Sequence, residues 1–452
     1  MPAYIALFIC TLVILILLYL DGKWNENLTF ALWIPLIWIG ISGSRSLSLF
    51  FGSSSYGGIA PEDYLEGSPT DRIIFTALII MGLAVLIKRN INVANVFNKN
   101  KWLSLLVIYC GISILWSDFP YVSFKRYTKS IGNVIMILVV VTDKYSDQVI
   151  KTILRRLAYI LIPLSYVFIK YFPKIGRNYH RYSGELSITG VTTNKNGLGV
   201  LCMILGLYFT WNLFLNKDNK LNNQINDGKL PKILNIIFTV FIIDLLLKSN
   251  SATSIYCYLL GLLFMFYYKY FDNLNPINNL FMTIFPYVFF VVTPLLVIAK
   301  NIFHDVVSIS GHSETFWGRV SFWPELTGIS DGSVLVGTGY DSFWLGNKMQ
   351  ILWERYWWHP TQAHNGYVDT YLELGIIGVI IFFVFIVRSY KDIVLISNKN
   401  DSFWLFKIAV FNVTLVYNIT ESAFKGISLI WIVFLLVLFN YNKIIDYNVV
   451  IK

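Results

Sequence analysis

The sequence is poor in charge. Lys, Arg, Asp and Glu make up 14% of its 452 residues, about half the share of a soluble domain. So few ions cannot cover a water-facing surface, and the 56% of residues that are apolar must turn their surplus towards lipid. That excludes a soluble enzyme, a nucleic-acid-binding protein and a secreted domain built on disulfides. Cysteine is scarce as well: Cys10, Cys110, Cys202 and Cys257 each sit in an apolar run. Their even number would suit pairing, but burial in lipid-spanning helices makes them inert thiols, so neither a disulfide nor a metal site is expected. Metal and nucleotide signatures are missing too. There is no His-Glu-x-x-His, no paired Cys-x-x-Cys and no Asp-x-Asp, and Pro360 between His359 and His364 spoils a helical ligand pair. Gly337-Thr338-Gly339-Tyr340 lacks the third glycine of a dinucleotide loop, and no P-loop is present. Neither a metal nor a cofactor is expected, and no nucleic-acid partner.

Long apolar runs are abundant. They recur near 3–20, 28–43, 73–88, 102–117, 127–142, 153–171, 196–215, 233–248, 252–270, 279–299, 367–388, 403–418 and 427–440. Lengths near 20 residues match a bilayer core. The expected fold is all-α, a polytopic transmembrane helical bundle of about 12–13 spans with one large extracytoplasmic loop. Residues 1–300 would carry the N-terminal transmembrane helices, 301–366 the loop and 367–452 the C-terminal helices. The first run has no basic start, because Met1-Pro2-Ala3-Tyr4 lacks Lys and Arg, so it is expected to be a retained helix rather than a secretory signal.

Loop charges orient such a chain. Lys88, Arg89, Lys99 and Lys101 follow the third run, Lys144, Lys151, Arg155 and Arg156 surround the turn after the fifth, Lys217, Lys220, Lys229 and Lys232 follow the seventh, and Arg388, Lys391 and Lys399 follow the eleventh. Loops after odd-numbered runs are then cytoplasmic, and the C-terminus lies inside. The N-terminus lies outside if all thirteen runs span, and inside if one of the first does not. The net charge of +10 has two readings: basic loops left inside, or a polyanionic substrate. Two stretches break the inside pattern. Residues 170–195 hold Lys170, Lys174, Arg177, Arg181 and Lys195 after an even-numbered run, and 301–366 also lies outside. A long ordered loop in a compact protein is usually functional.

The outward segments concentrate chemistry. All 5 histidines lie there, His180, His304, His312, His359 and His364, and histidine moves protons near neutral pH. Six of the 14 tryptophans fall in the large loop: Trp317, Trp323, Trp344, Trp353, Trp357 and Trp358. They would either anchor at the interface or stack on sugar rings. Arg181 and Arg319 lie in the same segments, and an arginine pairs bidentately with phosphate oxygens. Each could equally be a snorkelling or salt-bridged side chain. His364, in Ala363-His364-Asn365-Gly366, precedes the helix that runs into Leu372-Glu373-Leu374-Gly375. The positive end of that helix disfavours an imidazolium and leaves a neutral base; a hydrogen-bonded loop histidine is the alternative.

These residues resemble a known family. Gly318-Arg319 with Trp323, then Gly337-Thr338-Gly339-Tyr340-Asp341-Ser342-Phe343, then Ala363-His364-Asn365, then Gly375 and Gly378 look like the shared domain of bacterial O-antigen ligases and polymerases. Thr192-Thr193-Asn194-Lys195-Asn196-Gly197-Leu198-Gly199 resembles the Lys-Asn-x-Leu-Gly motif of the exopolysaccharide polymerases of that superfamily. Trp116-Ser117, Ile162-Pro163-Leu164-Ser165 and Ser249–Ser254 fit the same subgroup. The likeness covers about residues 110–440.

The resemblance implies a glycosyltransferase of surface-polysaccharide biosynthesis in the bacterial inner membrane, with its site facing the periplasm or exterior. Its donor would be a glycan on polyprenyl (undecaprenyl) diphosphate. Its acceptor would be a sugar hydroxyl, on lipid A-core for a lipopolysaccharide O-antigen ligase or on a second lipid-linked repeat for a polymerase. Arg319 and Arg181 would bind the diphosphate with help from Lys195, and His364 would deprotonate or orient the acceptor hydroxyl. Asn196, Asn365, Trp323 and Tyr340 complete the expected substrate site. Fixed cations stabilise the departing diphosphate most in the transition state, the base activates a weak nucleophile, and direct displacement inverts the anomeric centre. Glu314, Glu325, Asp341 and Asp369 are alternative bases. Two other functions share the composition: a secondary transporter, which would keep its polar site near the membrane midplane, and a non-catalytic membrane partner of a polysaccharide export pathway.

Overall fold

The computed structural model describes residues 1–25, 28–50, 68–179, 184, 186–216, 229–271, 284, 288, 316–330, 332–356, 358–396, 402–424 and 426–439. The protein is an all-α polytopic bundle. Among the described residues, its helices of ten or more residues are α1 (Ala3–Trp24), α2 (Trp33–Ser42), α3 (Pro69–Lys88), α4 (Lys101–Ile112), α5 (Pro120–Val141), α6 (Ser146–Tyr171), α7 (Lys195–Phe214), α8 (Lys229–Lys248), α9 (Ala252–Phe271), α10 (Phe316–Ile329), α11 (Gly346–Arg355), α12 (Gly366–Ile396), α13 (Phe403–Thr420) and α14 (Leu429–Leu438). Twelve of the thirteen apolar runs fall on these helices. The tenth, 279–299, lies almost wholly outside the described residues. Among the described residues, α1, α3, α6, α7, α8, most of α12 and α13 are long and apolar enough to cross a membrane, and Phe30–Ser42, Lys101–Trp116 and α14 are shorter apolar helices.

Burial separates inner from outer helices. In α7 and α13, 78% of the most apolar window is buried, against 22% in α1 and α3. The outer helices keep large apolar side chains exposed, among them Phe8, Ile16, Ile73 and Ile80. In water such faces would aggregate; in a bilayer they meet acyl chains. Both inner helices pack closely on α9 because small residues allow it. Gly199 and Gly206 on α7 lie against Ser254 and Tyr258 of α9, and Gly261 of α9 lies against Leu207 and Val413, the small-residue interface typical of lipid-embedded helices.

The chain alternates direction, which sorts its connections onto two faces. One face carries the ends of α6 and α13, the starts of α7, α9 and α12, the short antiparallel pair β1 (Arg177–Tyr179) and β2 (Leu186–Ile188), and helices α10 and α11. The large loop has a small core of its own on this face, built from Phe322, Trp323, Leu326, Phe343, Trp344, Leu352, Ala363, Val368 and Leu372.

The loop is joined to the bundle through a break in α12. Gly375 adopts φ +64 there, a conformation that only glycine takes without strain. The break costs the pairs that would run from Ile376 N–H to Leu372 O and from Ile377 N–H to Glu373 O. The Val334–Gly339 segment replaces both: Ile376 N–H and Ile377 N–H donate to Val334 O and Leu335 O at 3.0 and 3.1 Å, while Thr338 N–H and Gly339 N–H donate to Leu372 O and Glu373 O at 3.0 and 2.9 Å. These four backbone groups are all paired, as burial in an apolar bundle demands. Trp116 and Ser113 fasten the same segment, donating to Val336 O at 3.2 Å and accepting from Tyr340 N–H at 3.0 Å. Gly337-x-Gly339, Trp116-Ser117 and Gly375 thus form one structural joint.

Candidate functional site

The site forms where three turns meet on the loop-bearing face. The first is the entry to α12. Asn365 is wholly buried, and its Oδ1 accepts from Tyr367 N–H and Val368 N–H at 3.0 and 3.1 Å. It therefore caps the helix, the role that Asn favours at this position. His364, just before it, holds φ +50, a left-handed conformation uncommon for a non-glycine residue and often found at functional sites. Gly366 faces the Asn418 side chain so closely that a Cβ would collide with it.

The second turn follows α13. Glu421 leaves the helix in extended conformation, anchored by its N–H to Tyr417 O at 3.0 Å. Asn418 Oδ1 accepts from Ala423 N–H at 2.9 Å and closes the turn. The third is the start of α7. Asn194 caps it through Gly197 N–H at 2.8 Å, so Lys195 and Asn196 occupy its first turn. Arg45 holds the preceding chain from below; it is buried and donates to Ile175 O and Thr192 O, both at 2.8 Å.

At the centre lies a carboxylate. Glu421 Oε2 is 3.0 Å from His364 Nδ1, and its side chain is 8% exposed against 21% for the imidazole. Glu421 Oε1 accepts from Asn196 Nδ2 at 2.9 Å, and Gln362 Nε2 donates to Oε2 at 3.4 Å. Ser251 Oγ donates to Asn196 Oδ1 at 3.1 Å and fixes the carboxamide. The contact fits the His364 tautomer with its proton on Nδ1 when Glu421 is ionised, because a carboxylate only accepts. The lone pair of Nε2 is then left to take a proton from another molecule. The Trp358 ring lies 5.9 Å from the imidazole, and two buried donors, Trp358 Nε1 and Asn365 Nδ2, have no hydrogen-bond partner among the described residues. Such donors suit an oxygen-rich ligand.

The expected site residues divide into groups. His364 and Asn196 meet through Glu421, although far apart in the chain. Lys195 lies beside them, half-buried at the first turn of α7. Trp323 is fully buried and donates to Ala363 O at 2.9 Å, so it supports the histidine turn from beneath rather than offering a stacking face. Asn365 caps α12 through Oδ1 alone. Tyr340 lines a cavity of about 80 Å³ between α4, α5, α12 and α14, with its hydroxyl 2.5 Å from Ser130 Oγ. Burial first, then the charge of Asp341, push that hydroxyl well above the usual tyrosine range, which keeps it protonated. Arg319 lies on α10, but its side chain is outside the described residues, as are Arg181, His180, His304, His312 and Glu314.

The alternative bases are engaged elsewhere. Asp369 accepts from Trp344 Nε1 at 2.8 Å, from Ala363 N–H and from Ser422 Oγ. Asp341 pairs with Arg126 at 3.1 Å and Glu325 with Arg355 at 2.7 Å. Glu421 and Gln362 were not among the residues expected from sequence. The available signal was an acidic residue between the apolar runs 403–418 and 427–440, because a carboxylate at the edge of a span is costly and is kept for a reason. Among the described residues, no group of three or more His, Cys, Asp and Glu side chains converges to hold a metal ion.

With the geometry in place, the chain can be set beside known proteins. It is 24% identical over 297 residues to the exopolysaccharide production protein ExoQ of Rhizobium meliloti (strain 1021). The match takes in 64% of this chain and 64% of that protein, so the chain spans just under two thirds of the relative's length. This is a distant relationship. No family model matches the chain, and no solved structure does.

Proposed function

We propose that this protein is a membrane glycosyltransferase of exopolysaccharide or O-antigen assembly, of the ligase–polymerase type, with its site on the outer face of the bacterial inner membrane. The observation that carries the reading is the 3.0 Å contact between His364 Nδ1 and Glu421 Oε2. It makes a general base at the mouth of an apolar bundle. In the reaction, Nε2 of His364 accepts the proton of a sugar hydroxyl as its oxygen attacks the anomeric carbon. The bond from that carbon to the polyprenyl diphosphate breaks, the diphosphate leaves as an anion, and the anomeric configuration inverts. Glu421 holds the imidazole in the productive tautomer and stabilises the imidazolium that forms. Glu421 is thus a positioning residue.

Cations would offset the charge gained by the leaving diphosphate. Lys195 stands at the positive end of α7, where the helix dipole already favours an anion, and we assign it with Arg319 and Arg181 to the diphosphate. The distant likeness to an exopolysaccharide production protein favours a lipid-linked repeat as acceptor, hence a polymerase. No metal or cofactor takes part in this scheme. The test is transfer from a lipid-linked donor by purified protein, comparing wild type with Glu421→Gln. A positioning role predicts a fall in kcat with KM little changed and an intact fold. An unaltered kcat would remove Glu421 from the mechanism. Surface glycans of a deletion strain separate the acceptors: short uncapped repeats indicate a polymerase, and full-length polymer absent from lipid A-core indicates a ligase.

A further inference from the structure

The face opposite His364 carries an open pocket that the proposed chemistry does not use. It lies where the start of α4, the later part of α12 and the end of α14 converge. Its floor is apolar, with Leu103, Phe385 and Leu438 buried there. Lys99, Lys101 and Arg388 stand exposed at its rim, with Asp392 among them. Among the described residues the lining therefore holds three cations and one anion. Lys101 is also the first residue of α4, whose start no side chain caps. Its charge adds to the positive end of the helix dipole, the reverse of the arrangement that stabilises a helix.

Basic loops alone need no pocket. Here the cations gather over a recess between three membrane helices, with apolar side chains below and the half-buried Trp102 beside them. We infer that this recess binds the headgroup of an anionic phospholipid, the phosphate meeting Lys99, Lys101 and Arg388 and the acyl chains lying along the apolar faces of α4 and α12. Charge at the headgroup level with hydrocarbon beneath it is what such a lipid presents, and basic pockets between spanning helices recognise it. Free phosphate would satisfy the cations but not the apolar floor.

The test is native mass spectrometry of the full chain, released from detergent with added phosphatidylglycerol or phosphatidylcholine. Wild type retains phosphatidylglycerol in preference to phosphatidylcholine. Each cation removed costs about fivefold in affinity, so Lys101→Glu with Arg388→Glu costs at least about 25-fold. Lys101→Arg keeps the charge and retains binding, which separates lost affinity from a damaged fold. Equal retention of the two lipids by wild type overturns the inference. So does undiminished phosphatidylglycerol binding by the double variant. Displacement of the lipid by equimolar inorganic phosphate would mean that the pocket takes phosphate itself, and would overturn the lipid assignment.

Discussion

The two faces of the bundle treat buried carboxylates differently. On the face away from the large loop, Asp21 is wholly buried and meets two guanidinium groups, Arg155 and Arg156, the latter at 2.6 Å. Arg156 also lies 4.9 Å from the Trp33 ring. Asp143 pairs with Arg89 at 2.8 Å and accepts from Thr29 at 2.6 Å, and Lys407 pairs with Asp147 at 2.7 Å. These acids face groups that stay charged, so the clusters lock helix ends together. On the loop-bearing face, Glu421 meets an imidazole and two carboxamides. An imidazole can gain and lose its proton near neutral pH, and a carboxamide holds position without adding charge. Both faces hold carboxylates in ion pairs, as Asp341 with Arg126 shows on the loop-bearing side; among the described residues the loop-bearing face also sets one buried carboxylate against an imidazole.

The sharpest break in this comparison comes from His364→Ala, which should lower glycan transfer by about 10²–10⁴-fold while the protein still inserts. The acid limb of the pH–rate profile should vanish with it; a persisting limb would make another group the base. Arg319→Ala should likewise abolish transfer in a purified assay without loss of folded protein, and full activity would end its assignment to the diphosphate. On the opposite face, Asp21→Ala should act on stability instead. It leaves the buried Arg156 without Asp21, at a cost of about 3–5 kcal/mol, seen as a lower unfolding temperature in detergent, with kcat per folded molecule unchanged. A marked kcat defect would erase the contrast between the faces.

A smaller effect is expected at the joint between the large loop and the bundle. Gly375→Ala must hold a strained backbone, at about 1–3 kcal/mol, and its methyl group meets Leu335 O. Hydrogen exchange should rise in residues 333–339. The smallest effect is predicted for EDTA, which should leave transfer unchanged; loss of activity restored by one divalent ion would overturn the metal-free scheme.

Particular residues show what the sequence made legible. The helical class and most helix positions were readable because lipid demands long apolar runs, and twelve of thirteen runs meet helices. The Asn194–Gly199 block, the His364–Asn365 pair and the Gly337–Gly339 turn were readable as marked positions. Their division of labour was not. Asn365 and Trp323 were expected at the substrate. Asn365 caps α12, and Trp323 supports the histidine turn. Gly375, expected within a family motif, breaks a helix that the loop then repairs. Arg45, far upstream, holds the chain before Lys195 by two carbonyl contacts, and nothing near it in sequence points there.

The amino-acid order by itself determined that the chain lives in lipid, where its helices run, and which segments gather histidine, tryptophan and cations. Those properties are local: hydropathy and loop charge act over a single span. Only the tertiary structure decided that Asn196, His364 and Glu421 meet. Each lies at the end of a different helix, and their meeting depends on how α7, α12 and α13 pack and on the turns fixed by Asn194, Asn365 and Asn418. A hydrogen bond formed at 3 Å between residues so distant in the chain has no local signature, because the packing of whole helices sets it.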